Sequence, residues 1–170
     1  LCTKTSKGWS VPVGQIIKDY DDMNIGKYSN QLMTNDGKYI IFSFSEYKDS
    51  EVNTLYYSKL EKNNKWSKPK KLSSIFDDGK HNHMSPSLAS DGVTLYFSSN
   101  RPGGLGNNDI WMSKRLDDTW KNWSEPVNLG PPVNTPKWDA YFAIDASGEF
   151  AYMSSYDKSI GKSDIIRVKL

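Results

Sequence analysis

At 170 residues and 19.3 kDa the chain has the size of one domain and can bury about 70% of its unfolded surface, so it needs no disulfide staples. Its 22 Lys+Arg against 20 Asp+Glu leave a net charge of +2, too small a global field to collect nucleic acid or an anionic membrane. The lone cysteine, Cys2, excludes an intramolecular disulfide, a cysteine-based zinc site and a dithiol redox motif. No apolar run approaches the roughly 20 residues that span a bilayer, and no leader pattern is visible, so the expectation is a soluble chain.

In chain order, the first landmark is Trp9-Ser10-Val11-Pro12. A short run follows at Gln31 to Thr34 (A), then an Asp36-Gly37 turn, then apolar Tyr39 to Ser43 (B), then Leu55 to Lys59 (C). The order then repeats. Trp66-Ser67-Lys68-Pro69 (D) leads to Ser87 to Ser90, Asp91-Gly92, Leu95 to Ser98 and Ile110 to Lys114. Trp123-Ser124-Glu125-Pro126 leads to Phe142 to Asp145, Ser147-Gly148, Phe150 to Ser154 and Ile165 to Lys169. The Trp-Ser-x-Pro copies are 57 residues apart, the glycines 55 and 56, and the C runs 55. A fixed period of this length signals a repeat architecture.

Glycine after Asp or Ser suits a tight A–B hairpin, because it tolerates positive φ. Run B is nearly continuously apolar, which requires cover on both faces. Proline in D fits an edge strand, since it cannot donate to a central ladder. The predicted fold is therefore an all-β β-propeller segment of four-stranded antiparallel blades. Its three units are 9–65, 66–122 and 123–170, one segment over 1–170, and it is expected to form part of a larger propeller, either with further blades of a parent chain or as a head-to-tail homodimer.

The residues Ser85-Pro86-Ser87-Leu88-Ala89-Ser90-Asp91-Gly92, Leu95 to Gly104 and Asp109-Ile110-Trp111 resemble the TolB-type β-propeller repeat. The stretch from Trp123 through Leu129-Gly130-Pro131-Pro132-Val133-Asn134-Thr135 to Trp138-Asp139 is similar to repeats of Gram-negative OmpA-family cell-envelope proteins. The resemblance implies a periplasmic or outer-membrane-associated bacterial protein whose propeller contacts a protein partner. The peptidoglycan-binding OmpA-type domain of that family has no counterpart in these residues. The first unit departs from the pattern, with Ser45-Glu46-Tyr47-Lys48 in place of Asn-Arg-Pro-Gly and Thr54 in place of the Asp that opens C.

Alternating strand direction puts the D–A and B–C connections on one face and the A–B and C–D connections on the other. The D–A and B–C segments are long, and long loops on a rigid scaffold are where binding residues concentrate. Counting back from the Gly turns places Tyr28, His83 and Asp139 at equivalent positions, predicted to border a central channel on that face. Arg101, Asn107 and Asn108, in the Gly-rich loop Asn100 to Asp109, offer groups for a peptide, a sugar or Ca²⁺; the structural reading has Arg101 pairing with Asp109 or neighbouring carbonyls. Trp138 has no aromatic counterpart at Asn82 or Lys27 by the same count, which singles it out for stacking on a sugar or a protein partner.

No catalytic constellation emerges. His81 and His83 alone make a poor metal set. Gly161-Lys162-Ser163 lacks the upstream glycine and the helix of a phosphate loop. Asp21-Asp22, Asp77-Asp78 and Asp117-Asp118 read as solvated turns rather than glycosidase acids, and no Gly-x-Ser-x-Gly elbow frames a serine. Lysines from Lys59 to Lys71 guard an edge, and the recurring Trp9, Trp66 and Trp123 are expected to wedge between blades. The reading is a non-catalytic module without cofactor or metal, serving protein–protein interaction or scaffolding; the alternatives are a carbohydrate-binding propeller and a glycoside hydrolase or sialidase-like enzyme.

Overall fold

A computed structural model describes residues 2–145, 147–157 and 159–170. The third B–C loop, Ser155 to Ser163, contains Lys158, which lies outside the described residues. The elements in order are β1 (Lys4–Thr5), β2 (Gly8–Trp9), α1 (Tyr20–Met23), β3 (Asn30–Met33), β4 (Tyr39–Phe44), β5 (Thr54–Lys59) and β6 (Lys70–Lys71). Then come a 3₁₀ turn (Ser74–Phe76), β7 (His83–Leu88), β8 (Thr94–Ser99), β9 (Asp109–Lys114), β10 (Val127–Asn128), β11 (Asp139–Ile144), β12 (Phe150–Ser155) and β13 (Asp164–Lys169).

The chain is all-β and forms propeller blades, with β6 and β10, from the start of the second and third repeat units, closing the blades of the first and second. Blade one is the antiparallel sheet β3-β4-β5-β6, blade two β7-β8-β9-β10, and blade three β11-β12-β13. The inner strand β7 lies between β3 and β11 and contacts both. Apolar layers fill the two junctions. Ile41, Leu55 and Tyr57 of blade one meet Leu95, Phe97 and Trp111 of blade two, with Leu72, Phe76, Trp120 and Trp123 between them. Ile110 and Tyr96 of blade two meet Phe142, Ala151, Met153 and Val168 of blade three, with Val133 and Leu129 between. The continuous apolar character of run B follows: β4 and β8 each feed a layer on either side.

The Trp-Ser-x-Pro segment differs from the expected full strand. Trp66 bridges Leu60, Trp123 bridges Arg115, and the outer ladder proper is two residues long, Tyr56 and Tyr57 with Lys71 and Lys70. The motif's serine explains its recurrence. Ser67 Oγ accepts the Lys59 N–H (3.0 Å) while its carbonyl accepts the Ser58 hydroxyl (2.6 Å); Ser124 does the same for Lys114 and Ser113 at 2.9 and 2.6 Å. These bonds satisfy the end of the C strand where proline denies a ladder. Trp66 and Trp123 are buried, but Trp9 is 71% exposed in the β1–β2 hairpin, so the first copy of the motif packs between no blades among the described residues.

Candidate functional site

The ladders give the repeat a register that the turn count misses. In blade one Asn30 pairs with Ser43 and Met33 with Ile40, without interruption. In blade two Met84 pairs with Ser98 but Ser87 with Tyr96, and in blade three Ala140 pairs with Ser154 but Ala143 with Tyr152. Each of the latter inner strands therefore holds one extra residue, a β-bulge. Ser85 (φ 50°) and Tyr141 (φ 57°) take it up in the left-handed region, and Pro86 sits in the bulge, where its missing N–H is tolerated. Such a conformation costs about 1–3 kcal/mol for a residue other than glycine. The bulges correct the count: His83 and Asp139 are equivalent to Ser29, and Asn82 and Trp138 to Tyr28. Trp138 thus does have an aromatic counterpart.

Tyr28 and Trp138 converge on one groove of about 720 Å³ on the D–A/B–C face, together with Tyr141, Tyr156, Asn82, Met84 and Ser163. Tyr28, Tyr141 and Tyr156 are about half exposed. The Trp138 ring lies 5.1 Å from Tyr156 (41° between planes) and 6.1 Å from Tyr141 (62°), forming an angled aromatic shelf. Across it, Lys27 Nζ lies 5.4 Å from the Tyr28 ring and pairs with Glu51 at 2.5 Å.

Backbone bonds fix the shelf. The Lys137 carbonyl accepts Asn107 N–H (2.9 Å), the Trp138 carbonyl accepts Tyr156 N–H (3.1 Å), and the Asn108 carbonyl accepts Asp139 N–H (2.9 Å). The Asp139 carboxylate accepts Thr135 N–H at 2.7 Å and its hydroxyl, closing the turn ahead of Trp138. Gly106 is required there: a Cβ would come within 2.6 Å of the Thr135 carbonyl and closer still to that of Lys137.

The remaining expected site residues lie outside this groove. His83 is fully buried rather than at a channel rim, its ring edge-on to Phe76 and Phe97 at 6.3 and 5.7 Å, and neither ring nitrogen has a partner. Burial pushes its imidazole down to about 4. Asp139 is likewise buried, and desolvation pushes its carboxyl above the usual range despite the Ser155 and Thr135 donors. Asn108 is buried with its amide on Met84 Sδ (3.4 Å), and Asn107 serves through its backbone. Arg101 makes no ion pair with Asp109; its guanidinium lies 5.4 Å from the Trp111 ring. Asp109 instead accepts Leu105 N–H (2.5 Å), Gly106 N–H (3.0 Å) and the Asn128 amide (2.8 Å). A carboxylate so occupied is spent on shaping the loop, not offered to Ca²⁺.

The acidic pairs are engaged locally where they are not solvated. Asp77 pairs with Lys71 (2.6 Å), Asp78 with His81 (2.5 Å), and Asp117 accepts the Thr119 N–H (2.8 Å). Among the described residues, Glu51 is the carboxylate that lines the groove. Tyr156 belongs to a B–C segment whose length already marked it as a binding loop. Tyr141 was concealed, because strand periodicity alone does not reveal which way a bulge turns a side chain.

No family model matches the chain, and no curated protein does. Among solved structures it is similar to a puromycin hydrolase mutant complexed with PGG, with a TM-score of 0.45 and 9% identity over 84% of this chain and 27% of that one. It is similar also to a thermostable family-43 glycoside hydrolase, with a TM-score of 0.45 and 12% identity over 84% of this chain and 54% of that one. The chain spans from about a quarter to about half the length of these proteins, and neither likeness bears on its activity.

Proposed function

We propose that this chain is a non-catalytic binding module of a bacterial cell-envelope protein, engaging a protein partner through the long-loop groove. The observation that carries the reading is the convergence of four aromatic side chains, Tyr28, Trp138, Tyr141 and Tyr156, from two blades onto one groove. Partly exposed Tyr and Trp side chains supply large apolar contact at low entropic cost and dominate binding energies at interfaces. The envelope setting rests on the TolB-type resemblance of the repeats.

Hydrolysis of a glycoside needs two carboxyl groups facing each other across the scissile bond. The groove offers Glu51, neutralised by Lys27 at 2.5 Å. The second reading is a carbohydrate ligand, favoured by the Trp138–Tyr156 shelf with the Asn82 amide and Ser163 beside it.

Purified native chain and the Trp138→Ala/Tyr156→Ala variant, applied in parallel to envelope extract and to a glycan array, separate these readings. A protein captured by the native chain and lost with the variant supports the first. Glycan binding that disappears with the variant moves the assignment to the second. Equal capture by both chains removes the groove from the account.

A further inference from the structure

The two junctions between consecutive blades are built alike, position by position. At the first, the Ser43 hydroxyl donates to the His83 carbonyl (2.8 Å) and the Asn53 carbonyl accepts the His83 N–H (3.0 Å). At the second, the Ser98 hydroxyl donates to the Asp139 carbonyl (2.5 Å) and the Asn108 carbonyl accepts the Asp139 N–H (2.9 Å). Each blade thus grips the first residue of the next inner strand by both backbone polar groups. Outward from this clamp, Leu72 N–H donates to the Leu55 carbonyl (2.9 Å), and Leu129 N–H to that of Ile110 (3.1 Å).

Blade three carries the giving half of the same junction. By ladder register, Ser154 stands where Ser43 and Ser98 stand, Ser163 where Asn53 and Asn108 stand, and Ile165 where Leu55 and Ile110 stand. Leu55 and Ile110 are fully buried, yet Ile165 is 78% exposed; Tyr152, the counterpart of Ile41 and Tyr96, is 42% exposed. The Ser154 hydroxyl has no partner among the described residues, although its two counterparts each make a short bond across a junction.

Blade one carries the receiving half on its outer side. Ser29 stands where His83 and Asp139 are gripped, and Ile40 and Phe42 where Leu95 and Phe97 are covered. The segment that fills a junction is already in place: Tyr20 lies 5.0 Å from Phe42, as Phe76 lies 5.2 Å from Phe97. Four residues before Tyr20, as Leu72 is four before Phe76, stands Ile16, which is 89% exposed while Leu72 is fully buried. A groove of about 690 Å³ runs between this segment and the inner strand, past Ile16, Tyr20, Ser29 and Ile40.

We propose that these two halves meet between two copies of this chain. Blade three of one copy lays Tyr152 and Ile165 on Ile16 and Tyr20 of the other, while Ser154 and Ser163 grip Ser29 as the internal clamps grip His83 and Asp139. The contact is head to tail, and repeating it once closes a ring of two chains and six blades, within the four to eight that propellers use. A second copy is the occupant because both complementary halves are present on this one chain. Ser29 and Ser163 also line the long-loop groove, whereas Ile16 and Ile165, which read out the association, lie outside it.

Sedimentation velocity over a hundredfold concentration range gives the oligomeric state. The expected species is a dimer of twice 19.3 kDa, and Ile165→Arg weakens association at least about 30-fold with unchanged far-UV circular dichroism. In a Cys2→Ser background, Ile16→Cys combined with Ile165→Cys is expected to cross-link between chains with a short bis-maleimide, and Ile165→Cys alone is not. A monomer throughout the range overturns the proposal. So does a dimer that tolerates Ile165→Arg, or one that cross-links Ile165→Cys to itself.

Discussion

Tyr28 and Trp138 occupy the same position of the repeat, directly before the equivalent residues Ser29 and Asp139, and line the same groove from blades one and three. Asn82 fills that position in blade two and also lines the groove. The aromatics stand at a rim where neither is required to fill a core, and this separates binding from stability. Trp138→Ala is expected to move the unfolding free energy by no more than about 1 kcal/mol while removing partner capture. Urea midpoints for the two chains check it; a loss near 3 kcal/mol would mean that Trp138 is a packing residue.

The same motif predicts opposite outcomes at its first two copies. Trp66 is 4% exposed, packs with Ile40, Phe42 and Tyr56, and its indole N–H donates to Gln15 (3.1 Å). Trp9 projects into solvent. Trp66→Ala should cost about 3–5 kcal/mol through the cavity left behind, and Trp9→Ala should stay within about 0.5. Equal denaturant midpoints for the two variants would contradict the assignment of Trp66 to the blade-one core.

His83 gives the fold an acid sensitivity with a definite sign. Burial holds its imidazole at about 4, below the 6.5 of an exposed histidine, with Arg101 and His81 also lowering it and Asp78 and Asp77 opposing. Between those values the unfolded chain binds more protons than the native one. The contribution is therefore fully present above pH 6.5 and is lost as pH falls through 4, by roughly 3 kcal/mol at most. Asp139 runs the other way in the acid range, its raised carboxyl losing stability as pH rises, so the native profile is a sum of the two. His83→Leu isolates the histidine: its stability advantage over the native chain should widen from pH 7 to pH 4. A constant difference would place His83 in contact with solvent.

Ser85 tests the bulge. At φ 50° glycine is free of the steric cost that Ser bears, whereas a β-branched side chain is strongly disfavoured. Ser85→Gly is expected to leave stability within about 1 kcal/mol and Ser85→Val to lower it by about 2–3 kcal/mol, relative to the native chain. Thermal unfolding of the two variants measures this. Equal stability would mean that the inner strand of blade two runs without a bulge.

Strand order, the blade repeat and the long-loop face all follow from the spacing of the tryptophans, glycines and C runs. What spacing alone leaves out is the bulge. Pro86 within an inner strand is its local mark, but blade three bulges at Tyr141-Phe142 with no proline, so the count back from Gly148 still reaches Asp139 while the count from Gly37 overshoots Ser29 to Tyr28. Burial of His83 and Asp139 is a tertiary effect of the clamps from Asn53 and Asn108, which no residue near them in sequence reports. The exposure of Trp9, identical in motif to Trp66, likewise depends on what lies beside it.

The central claim is that the groove beside Trp138 is where this module binds. The six tryptophans make it directly measurable, since each contributes one indole N–H resonance in a ¹⁵N-labelled chain. The indoles of Trp66, Trp111 and Trp123 donate to Gln15, the Ser99 carbonyl and the Trp120 carbonyl and serve as internal references. Titration with the protein captured from envelope extract, or with the glycan selected on the array, is predicted to shift the Trp138 resonance and leave those three in place. Saturable binding with an unmoved Trp138 resonance would contradict the account.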